Sequence, residues 1–256
     1  MIMIDIHCHI LPGLDDGPTE IEESLLMARE AVNEGIKIII ATPHHRNNRY
    51  ENSKSHILRN ITEFSNKLRE ENIPLEILPG QENRIYGEII EDYHKGEILT
   101  LSNSNYLFIE FPTSSVPRYT EKLFYDLLTE GLTPIIVHPE RNKELQGNSN
   151  LLYDLVRNGA LTQITAASLI GNFGKSIQKF SRQLIEYNLT HFIASDAHNT
   201  HNRTFKLLHA YEYIHKEFGQ DYFYLFTENS ETLLKGNIIY KEIPEKIKRK
   251  KFLGVF

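Results

Sequence analysis

The chain has 256 residues, a formal net charge of −6 and 40% hydrophobic residues. That content suffices for a large core, and no apolar run approaches the roughly 18 residues of a membrane span, so we expect no transmembrane segment. The acidic balance argues against a nucleic-acid groove. One cysteine excludes an internal disulfide, and no secretory signal pattern opens the chain, so cytoplasmic localisation is the expectation.

Seven short apolar runs alternate with amphipathic stretches, which is typical of buried parallel strands separated by helices. The predicted strands lie at about 3–8, 36–41, 75–79, 106–110, 134–138, 161–166 and 191–195. The predicted helices lie at about 19–34, 53–71, 119–130, 150–158, 174–188 and 203–218. Thr19 and Glu22 form a capping-box pattern at the first helix, and Gly131 and Gly159 follow two others as stop signals.

The order of these elements predicts an α/β fold with parallel strands. A chain of this length suits either one α/β barrel or two ordinary domains, and no linker-like stretch divides the sequence. We therefore expect a single barrel domain over residues 1–256, in which the active site lies where the carboxyl ends of the strands meet.

The first predicted strand ends in Asp5-Ile6-His7-Cys8-His9. Residues two apart in a strand project to the same side, so the two imidazoles face one point in space, as metal ligands do. Asp5 shares this parity, and we expect it to orient one of the histidines by a hydrogen bond.

Residues of metal-ligand type also follow other predicted strands. They are His44, Glu82, Glu110, His138 and the pair Asp196 and His198, while the loop after the first strand adds Asp15 or Asp16. Because the carboxyl ends of barrel strands meet at one face, we expect these side chains to converge. About nine carboxylate and imidazole ligands exceed the need of one ion and predict two or three ions of manganese, iron or zinc.

Six stretches of the sequence, in this order, resemble the PHP (polymerase and histidinol phosphatase) superfamily. They are Asp5-Ile-His-Cys-His-Ile-Leu-Pro-Gly-Leu-Asp-Asp-Gly17, Ala41-Thr-Pro-His-His45, Pro79-Gly-Gln-Glu82, Ile109-Glu-Phe-Pro112, Val137-His-Pro-Glu-Arg141 and Ser195-Asp-Ala-His198. The resemblance is closest to the bacterial manganese-dependent protein tyrosine phosphatases that act on tyrosine autokinases controlling capsule and exopolysaccharide synthesis. It spans nearly the whole chain.

The resemblance implies a distorted seven-stranded, TIM-like (β/α) barrel of the PHP fold with a trinuclear Mn²⁺ site. The positions that match the family's metal ligands are His7, His9, Asp16, His44, Glu82, Glu110, His138, Asp196 and His198. This match alone selects Asp16 over Asp15 and makes Glu82 the expected bridge. Arg141 and Arg203 match arginines that hold the phosphate. The implied partner is a phosphotyrosine protein, a membrane-associated bacterial tyrosine kinase.

Phosphomonoester hydrolysis gives these residue types their roles. Guanidinium forks bind two phosphate oxygens and offset charge in the transition state. Two metal ions lower the pKa of a bridging water, so that hydroxide attacks phosphorus in line and no covalent enzyme intermediate is required. The predicted function is metal-dependent hydrolysis of phosphotyrosine in proteins.

Other functions fit parts of the pattern. A small-molecule phosphatase, such as histidinol phosphate phosphatase, would share all the metal ligands and differ in its substrate-facing loops. A non-catalytic metal-binding regulator has no need of Arg141 and Arg203. An amidohydrolase would have eight strands and a lysine where this chain has Glu110.

Cys8 suggests a cysteine-dependent phosphatase, but that chemistry needs an arginine six positions after the thiolate, and position 14 is Leu14. A strand also directs Cys8 away from His7 and His9, so we expect it to be buried. Of the other histidines, His45 and His201 are candidates for a hydrogen bond to a ligand or to the phosphate.

The C-terminal segment at about 245–256 combines a basic run with an apolar end. A solvated tail is one interpretation. Docking to an anionic membrane surface or to the membrane-associated kinase is the other, because several cations beside apolar residues give additive attraction.

Overall fold

The computed structural model describes residues 2–248, and within them nine strands form two parallel sheets. The strands are β1 (Met3–Cys8), β2 (Ile36–Ala41), β3 (His44–His45), β4 (Glu76–Pro79), β5 (Glu82–Arg84), β6 (Tyr106–Glu110), β7 (Thr133–Val137), β8 (Leu161–Thr165) and β9 (Phe192–Ala194). One sheet has the order β1-β2-β4, and the other has the order β3-β5-β6-β7-β8-β9. Every hydrogen-bonded pair of strands is parallel, as the α/β pattern predicts.

Ten α-helices lie between and after the strands of this described part. They are α1 (Ile21–Asn33), α2 (Lys54–Glu70), α3 (Ile89–His94), α4 (Thr120–Thr129), α5 (Lys143–Gly147), α6 (Ser149–Arg157), α7 (Ala166–Leu169), α8 (Lys175–Glu186), α9 (Leu207–Glu217) and α10 (Gln220–Leu234). All six predicted helices are present, although the last begins at Leu207 and not at 203. The sequence did not predict α3, α5, α7 or α10.

The cap of α1 lies one residue later than the sequence predicts. Glu23, and not Glu22, accepts hydrogen bonds from the backbone N–H groups of Thr19 at 2.8 Å and Glu20 at 3.4 Å. The helix therefore begins at Ile21, after Glu20 as its N-cap. Gly131 and Gly159 follow α4 and α6 as predicted, with φ values of 80° and 113° that only glycine adopts without strain.

Two predicted strands are each divided into two. Thr42 and Pro43 separate β2 from β3, and Gly80 and Gln81 separate β4 from β5. Pro43 has no N–H to donate to a ladder. At Gly80, a Cβ would lie 2.6 Å from Cγ2 of Ile40, so the chain approaches its neighbour more closely than a side chain allows. The short strands that follow these breaks carry His44 and Glu82 into the six-stranded sheet.

The strand pairs of the described residues divide into two sheets, so by themselves they do not confirm the predicted closed barrel of seven strands. The sheets nevertheless meet at one place. His9 N–H donates to the carbonyl of Ala197 at 2.9 Å, and Asp196 N–H donates to the carbonyl of His7 at 2.9 Å. The end of β1 thus lies beside the segment that follows β9.

Side chains of the strands pack into two apolar clusters. Along β6, Leu107 and Ile109 belong to a large cluster that includes helix residues, whereas Tyr106 and Phe108 belong to a smaller cluster on the opposite face. Because both faces are covered, most residues of the strands are buried.

The C-terminal segment is described only as far as Lys248, and residues 249–256 of the predicted basic and apolar tail lie outside the described range. Within it, Glu245 N–H donates to the carbonyl of Tyr187 at 2.9 Å, and Nζ of Lys246 lies 5.1 Å from the ring centroid of Tyr153. None of the helices between residues 2 and 248 is long and apolar enough to cross a membrane.

Candidate metal centre

The nine residues predicted as metal ligands converge at the carboxyl ends of the strands, and together they form the candidate metal centre. Their ligand atoms form three overlapping groups whose members lie within 4.8 Å of one another: His9, Asp16, His44 and His198; His7, His9 and Glu82; His44, Glu82 and Glu110. His138 and Asp196 join them, since His138 Nε2 lies 2.8 Å from Glu82 Oε1 and His9 Nε2 lies 3.5 Å from Asp196 Oδ1.

Glu82 lies at the middle of this centre. Its Oε2 lies 2.8 Å from His44 Nδ1, 3.2 Å from His9 Nε2 and 3.5 Å from His7 Nε2. Its Oε1 faces His138. One fully buried carboxylate therefore reaches four imidazoles, which is the arrangement that a ligand shared between ions requires.

Hydrogen bonds from behind orient three of the imidazoles. His7 Nδ1 lies 2.8 Å from Oε1 of Gln163, and His9 Nδ1 lies 2.6 Å from Oδ2 of Asp15. His198 Nδ1 lies 2.9 Å from the carbonyl oxygen of Asp196. Such partners fix the tautomer that carries hydrogen on Nδ1 and leave Nε2 free to bind an ion.

These contacts separate the two candidate aspartates of the first loop. Asp15 is buried behind His9. Asp16 instead places Oδ1 at 3.3 Å from His198 Nε2 and at 3.4 Å from His44 Nε2. The geometry therefore gives Asp16 the position of a ligand and Asp15 that of a support.

Asp5 contacts His7 only through the backbone, since its Oδ1 accepts from the His7 N–H at 3.4 Å and it bonds to no imidazole within the described residues. Its carboxylate accepts hydrogen bonds from the backbone N–H of Ser195 at 2.9 Å and from the Ser195 hydroxyl. Burial raises the pKa of Asp5 to about 6, against the effect of these bonds. Asp5 thus fixes the turn that leads to Asp196, and Gln163, which the sequence did not single out, takes the role beside His7.

Two of the predicted ligands have left-handed backbone conformations. His138 has a φ of 36° and Asp196 a φ of 53°. Residues other than glycine adopt this region at a cost of about 1–3 kcal/mol, and such strain clusters at functional sites. The fold holds both side chains at the centre in spite of that cost.

The donor set fits divalent cations. Four carboxylates meet here, and burial together with the charge of Glu82 raises the pKa of Glu110 to about 7. Oε2 of Glu82, Oε2 of Glu110 and Nε2 of His198 are buried and make no well-aligned hydrogen bond within the described residues, although charged groups lie near all three, such as Arg84 Nη2 at 3.3 Å from Glu110 Oε2. Cations would offset the crowded negative charge and give these atoms the partners that buried polar atoms need.

The pKa values of the candidate ligands shift in both directions. Burial and the nearby Arg141 lower the pKa of His138 to about 3, and burial and His9 lower that of His198 to about 4. Burial alone would raise the pKa of Glu82, but His44 and His7 hold it well below its ordinary value. Burial would lower the pKa of His9, but the charge of Asp15 raises it well above its ordinary value. A bound cation would displace the proton that this shift favours.

The two predicted arginines lie at the open side of the centre. Arg141 Nη2 is 2.6 Å from Asp196 Oδ2, and Arg203 reaches the same oxygen at 3.2 Å and Asp16 Oδ2 at 3.3 Å. Both arginines line a cavity of about 270 Å³ together with Asp16, His44, Glu110, His138 and Asp196. A small anion in this cavity would contact guanidinium groups and the candidate ligands at once.

The three other residues that the sequence singled out differ in burial. Cys8 is fully buried as predicted, and burial and the Asp5 charge raise the pKa of its thiol well above the ordinary value. His45 is buried, and its two ring nitrogens have no hydrogen-bond partner in the described structure. His201 is exposed, and its backbone N–H donates to Oδ1 of Asn199.

The strands of this α/β protein are parallel, and candidate ligands and two arginines cluster at their carboxyl ends. These features define a class of protein, the α/β proteins with a candidate polynuclear metal site. The chain belongs to the CpsB/CapC family of capsular polysaccharide synthesis, whose family model matches residues 3–235.

Known relatives cover nearly the whole chain. The tyrosine-protein phosphatase YwqE of Bacillus subtilis is 50% identical over 254 residues, which are 99% of this chain and 100% of YwqE. The tyrosine-protein phosphatase CpsB of Streptococcus agalactiae serotype III is 32% identical over 243 residues, or 93% of this chain and 100% of CpsB. The resemblance to bacterial tyrosine phosphatases of capsule synthesis is thereby confirmed.

A solved structure agrees with these relatives. The crystal structure of YwqE, described as a metal-dependent tyrosine phosphatase, superposes on this chain with a TM-score of 0.94 at 50% sequence identity. The match covers 96% of this chain and 100% of that one.

Proposed function

We propose that this protein is a metal-dependent protein tyrosine phosphatase that hydrolyses phosphotyrosine in proteins. The observation that carries the proposal is the convergence of nine ligand-type side chains beside Arg141 and Arg203, around a cavity of about 270 Å³. The tyrosine phosphatase relatives support the same assignment across the full length of the chain.

The proposed cofactors are two or three Mn²⁺ ions, for which iron or zinc are alternatives. The ligands are His7, His9, Asp16, His44, Glu82, Glu110, His138, Asp196 and His198. Their mixture of imidazole and carboxylate without thiolate suits these ions. Three overlapping groups of ligand atoms support more than one ion, with Glu82 shared between groups.

The side chains of this protein then divide the work of hydrolysis. When bound, the divalent ions supply Lewis acidity and lower the pKa of water toward neutrality. Arg141 and Arg203 bind and orient the phosphate and stabilise the charge that grows on its oxygens. The phenolate of tyrosine has an intrinsic pKa of about 10 and leaves readily, so no cysteine nucleophile is needed.

The proposed fold of this enzyme is one domain containing a distorted barrel of seven strands. In that description β2 with β3, and β4 with β5, are single strands interrupted at Pro43 and Gly80. The hydrogen bonds between the end of β1 and residues 196–197 support closure between β1 and β9.

The proposed substrate is a membrane-associated bacterial tyrosine kinase of capsule or exopolysaccharide synthesis. We propose that the enzyme acts on it from the cytoplasm. Membership of the capsular polysaccharide synthesis family supports this setting. The net charge of −6 gives no support to a nucleic-acid partner.

The test is to load the purified protein with Mn²⁺ and compare a phosphotyrosine peptide with histidinol phosphate. The proposal predicts release of phosphate from the peptide with a kcat/KM at least about a hundredfold higher, because peptide contacts add binding energy in the transition state. Hydrolysis of histidinol phosphate without hydrolysis of the peptide would contradict it.

A further inference from the structure

A second cavity adjoins the one that holds the candidate metal centre. It has a volume of about 410 Å³ and is lined by Arg46, Asn48, Arg49, Tyr50, Glu51 and Tyr86. The ring of Tyr50 is stacked against the ring of His44, with centroids 6.3 Å apart and an interplanar angle of 6°. Since His44 lines the first cavity, this stacked pair forms the boundary between the two.

The loop that lines the second cavity has a defined backbone. Oδ1 of Asn47 accepts hydrogen bonds from the backbone N–H groups of Arg49 at 3.1 Å and Tyr50 at 2.9 Å. Arg46 has a φ of 53°, a conformation that a long side chain adopts only when its surroundings hold it there, and Asn48 has a φ of 72°, which asparagine tolerates. The turn therefore presents Arg49 and Tyr50 in a fixed relation to His44.

The two arginines that line this cavity differ in whether carboxylates offset their charge. Arg46 Nη2 lies 2.9 Å from Asp92, its Nε lies 3.8 Å from Glu51, and its guanidinium group lies 4.8 Å from the ring centroid of Tyr86. Carboxylates thus offset the charge of Arg46. Arg49 is exposed, and it forms no ion pair within residues 2–248. It is the cation of the cavity that remains available to a ligand.

We propose that this second cavity binds the residues of the substrate that neighbour the phosphotyrosine, and that Arg49 selects an acidic side chain among them. The inference rests on the proposed function. A cavity of about 270 Å³ holds little more than one phosphorylated side chain, so the rest of a protein substrate must lie on the surrounding surface. Tyr50 and Tyr86 offer rings for apolar contact, and the guanidinium of Arg49 offers a fork for a carboxylate.

The test compares two phosphotyrosine peptides that differ only in glutamate or glutamine beside the phosphotyrosine. In the Mn²⁺-loaded wild type, kcat/KM should favour the glutamate peptide about twofold to fivefold, the range of a partly exposed charge pair. Arg49→Ala should abolish that preference, and Arg49→Glu should reverse it. Arg59→Ala, which removes an exposed arginine of α2 that does not line the cavity, is the matched control and should keep the preference.

Hydrolysis of 4-nitrophenyl phosphate separates this inference from the function on which it rests. That substrate has no neighbouring residues, so Arg49→Ala should hydrolyse it as the wild type does. Equal preference for the two peptides in wild type and Arg49→Ala, with normal hydrolysis of 4-nitrophenyl phosphate, would overturn the Arg49 inference alone. Failure of the wild type to hydrolyse any of the three compounds would overturn the proposed function with it.

Discussion

Asp15 contacts two of the candidate ligands from behind the candidate metal centre. Its Oδ2 lies 2.6 Å from His9 Nδ1 and accepts from the backbone N–H of His44 at 3.0 Å, while its Oδ1 accepts from the backbone N–H of Gly17 at 2.9 Å. One carboxylate therefore positions two of the candidate ligands. Its neighbour Asp16 faces the centre itself.

We expect Asp15→Asn to weaken metal binding by about tenfold to a hundredfold, because an amide orients His9 less strongly than a carboxylate does. The measurement is a Mn²⁺ titration of activity, with circular dichroism as the check on folding. An unchanged Mn²⁺ requirement in a folded variant would contradict the role given to Asp15.

Cys8 offers a direct comparison between a thiol mechanism and a metal mechanism. Its side chain is fully buried and its Sγ lies 3.5 Å from the carbonyl oxygen of Ala197. Cys8→Ser should therefore keep most of the activity. Glu82→Ala should lower kcat by about a hundredfold or more, because it removes the shared ligand. An inactive Cys8→Ser protein with normal metal content would revive the thiol mechanism.

Arg141 and Arg203 should act on the phosphate. Replacing either with Ala should lower kcat/KM on a phosphotyrosine peptide by about tenfold to a thousandfold, since a charge-assisted bidentate contact is lost. Lysine should rescue only partly, because it restores the charge without the planar fork. Inorganic phosphate should inhibit the wild type better than either alanine variant.

The measurement for the two arginines is metal stoichiometry alongside steady-state kinetics. Metal content should stay normal in both alanine variants. Unchanged kinetics, or loss of metal with loss of activity, would remove Arg141 and Arg203 from the proposed role.

For single residues, the sequence predicted the side-chain positions that follow from strand parity and from the ends of strands. It placed His7 and His9 on one side, and the structure brings them together. Asp5 shares this parity but bonds to no imidazole within the described residues, and β1 has an irregular register between Asp5 and Cys8. Gln163 could not have been predicted as the partner of His7, since 156 residues separate them and only the fold brings them together.

Among the elements, the break between β4 and β5 is the one that depends most on a single residue. A Cβ at Gly80 would lie 2.6 Å from Ile40 Cγ2, 3.0 Å from Thr42 Cγ2 and 3.1 Å from Leu101 Cδ2. Glu82 follows Gly80 by two residues and begins β5. Space for even one methyl group is lacking here.

We expect Gly80→Ala to lower the free energy of unfolding by about 1–3 kcal/mol through overpacking. Gly87→Ala is the matched control, because no atom lies within 4 Å of a Cβ at Gly87. Urea unfolding of both variants checks this. Equal stability of Gly80→Ala and the wild type would show that the neighbouring side chains can move away.

Elements with a long apolar period were predictable, and short or aromatic-rich ones were not. Helices of four to six residues, such as α3, α5 and α7, contain too few turns to show a 3.6-residue period. The helix α10 contains Tyr222, Phe223, Tyr224 and Phe226, residues that favour strands by propensity, and its burial against other elements overrides that preference.

For the whole molecule, the sequence predicted parallel strands with candidate ligands at their carboxyl ends, and these side chains do meet there. The division into two sheets could not be predicted, because apolar periodicity says nothing about where Pro43 and Gly80 interrupt pairing. Strand pairing at this level depends on contacts between distant segments, which a single sequence does not display.

We propose that bound divalent ions make this fold a phosphotyrosine hydrolase. The most direct test is to strip the ions with a chelator, titrate Mn²⁺ back, and follow bound metal per chain together with phosphate release from a phosphotyrosine peptide. We expect no activity in the stripped protein, an unchanged circular dichroism spectrum because a large apolar core does not need the ions, and full activity at two or three ions per chain. Full activity in the metal-free protein would contradict the claim.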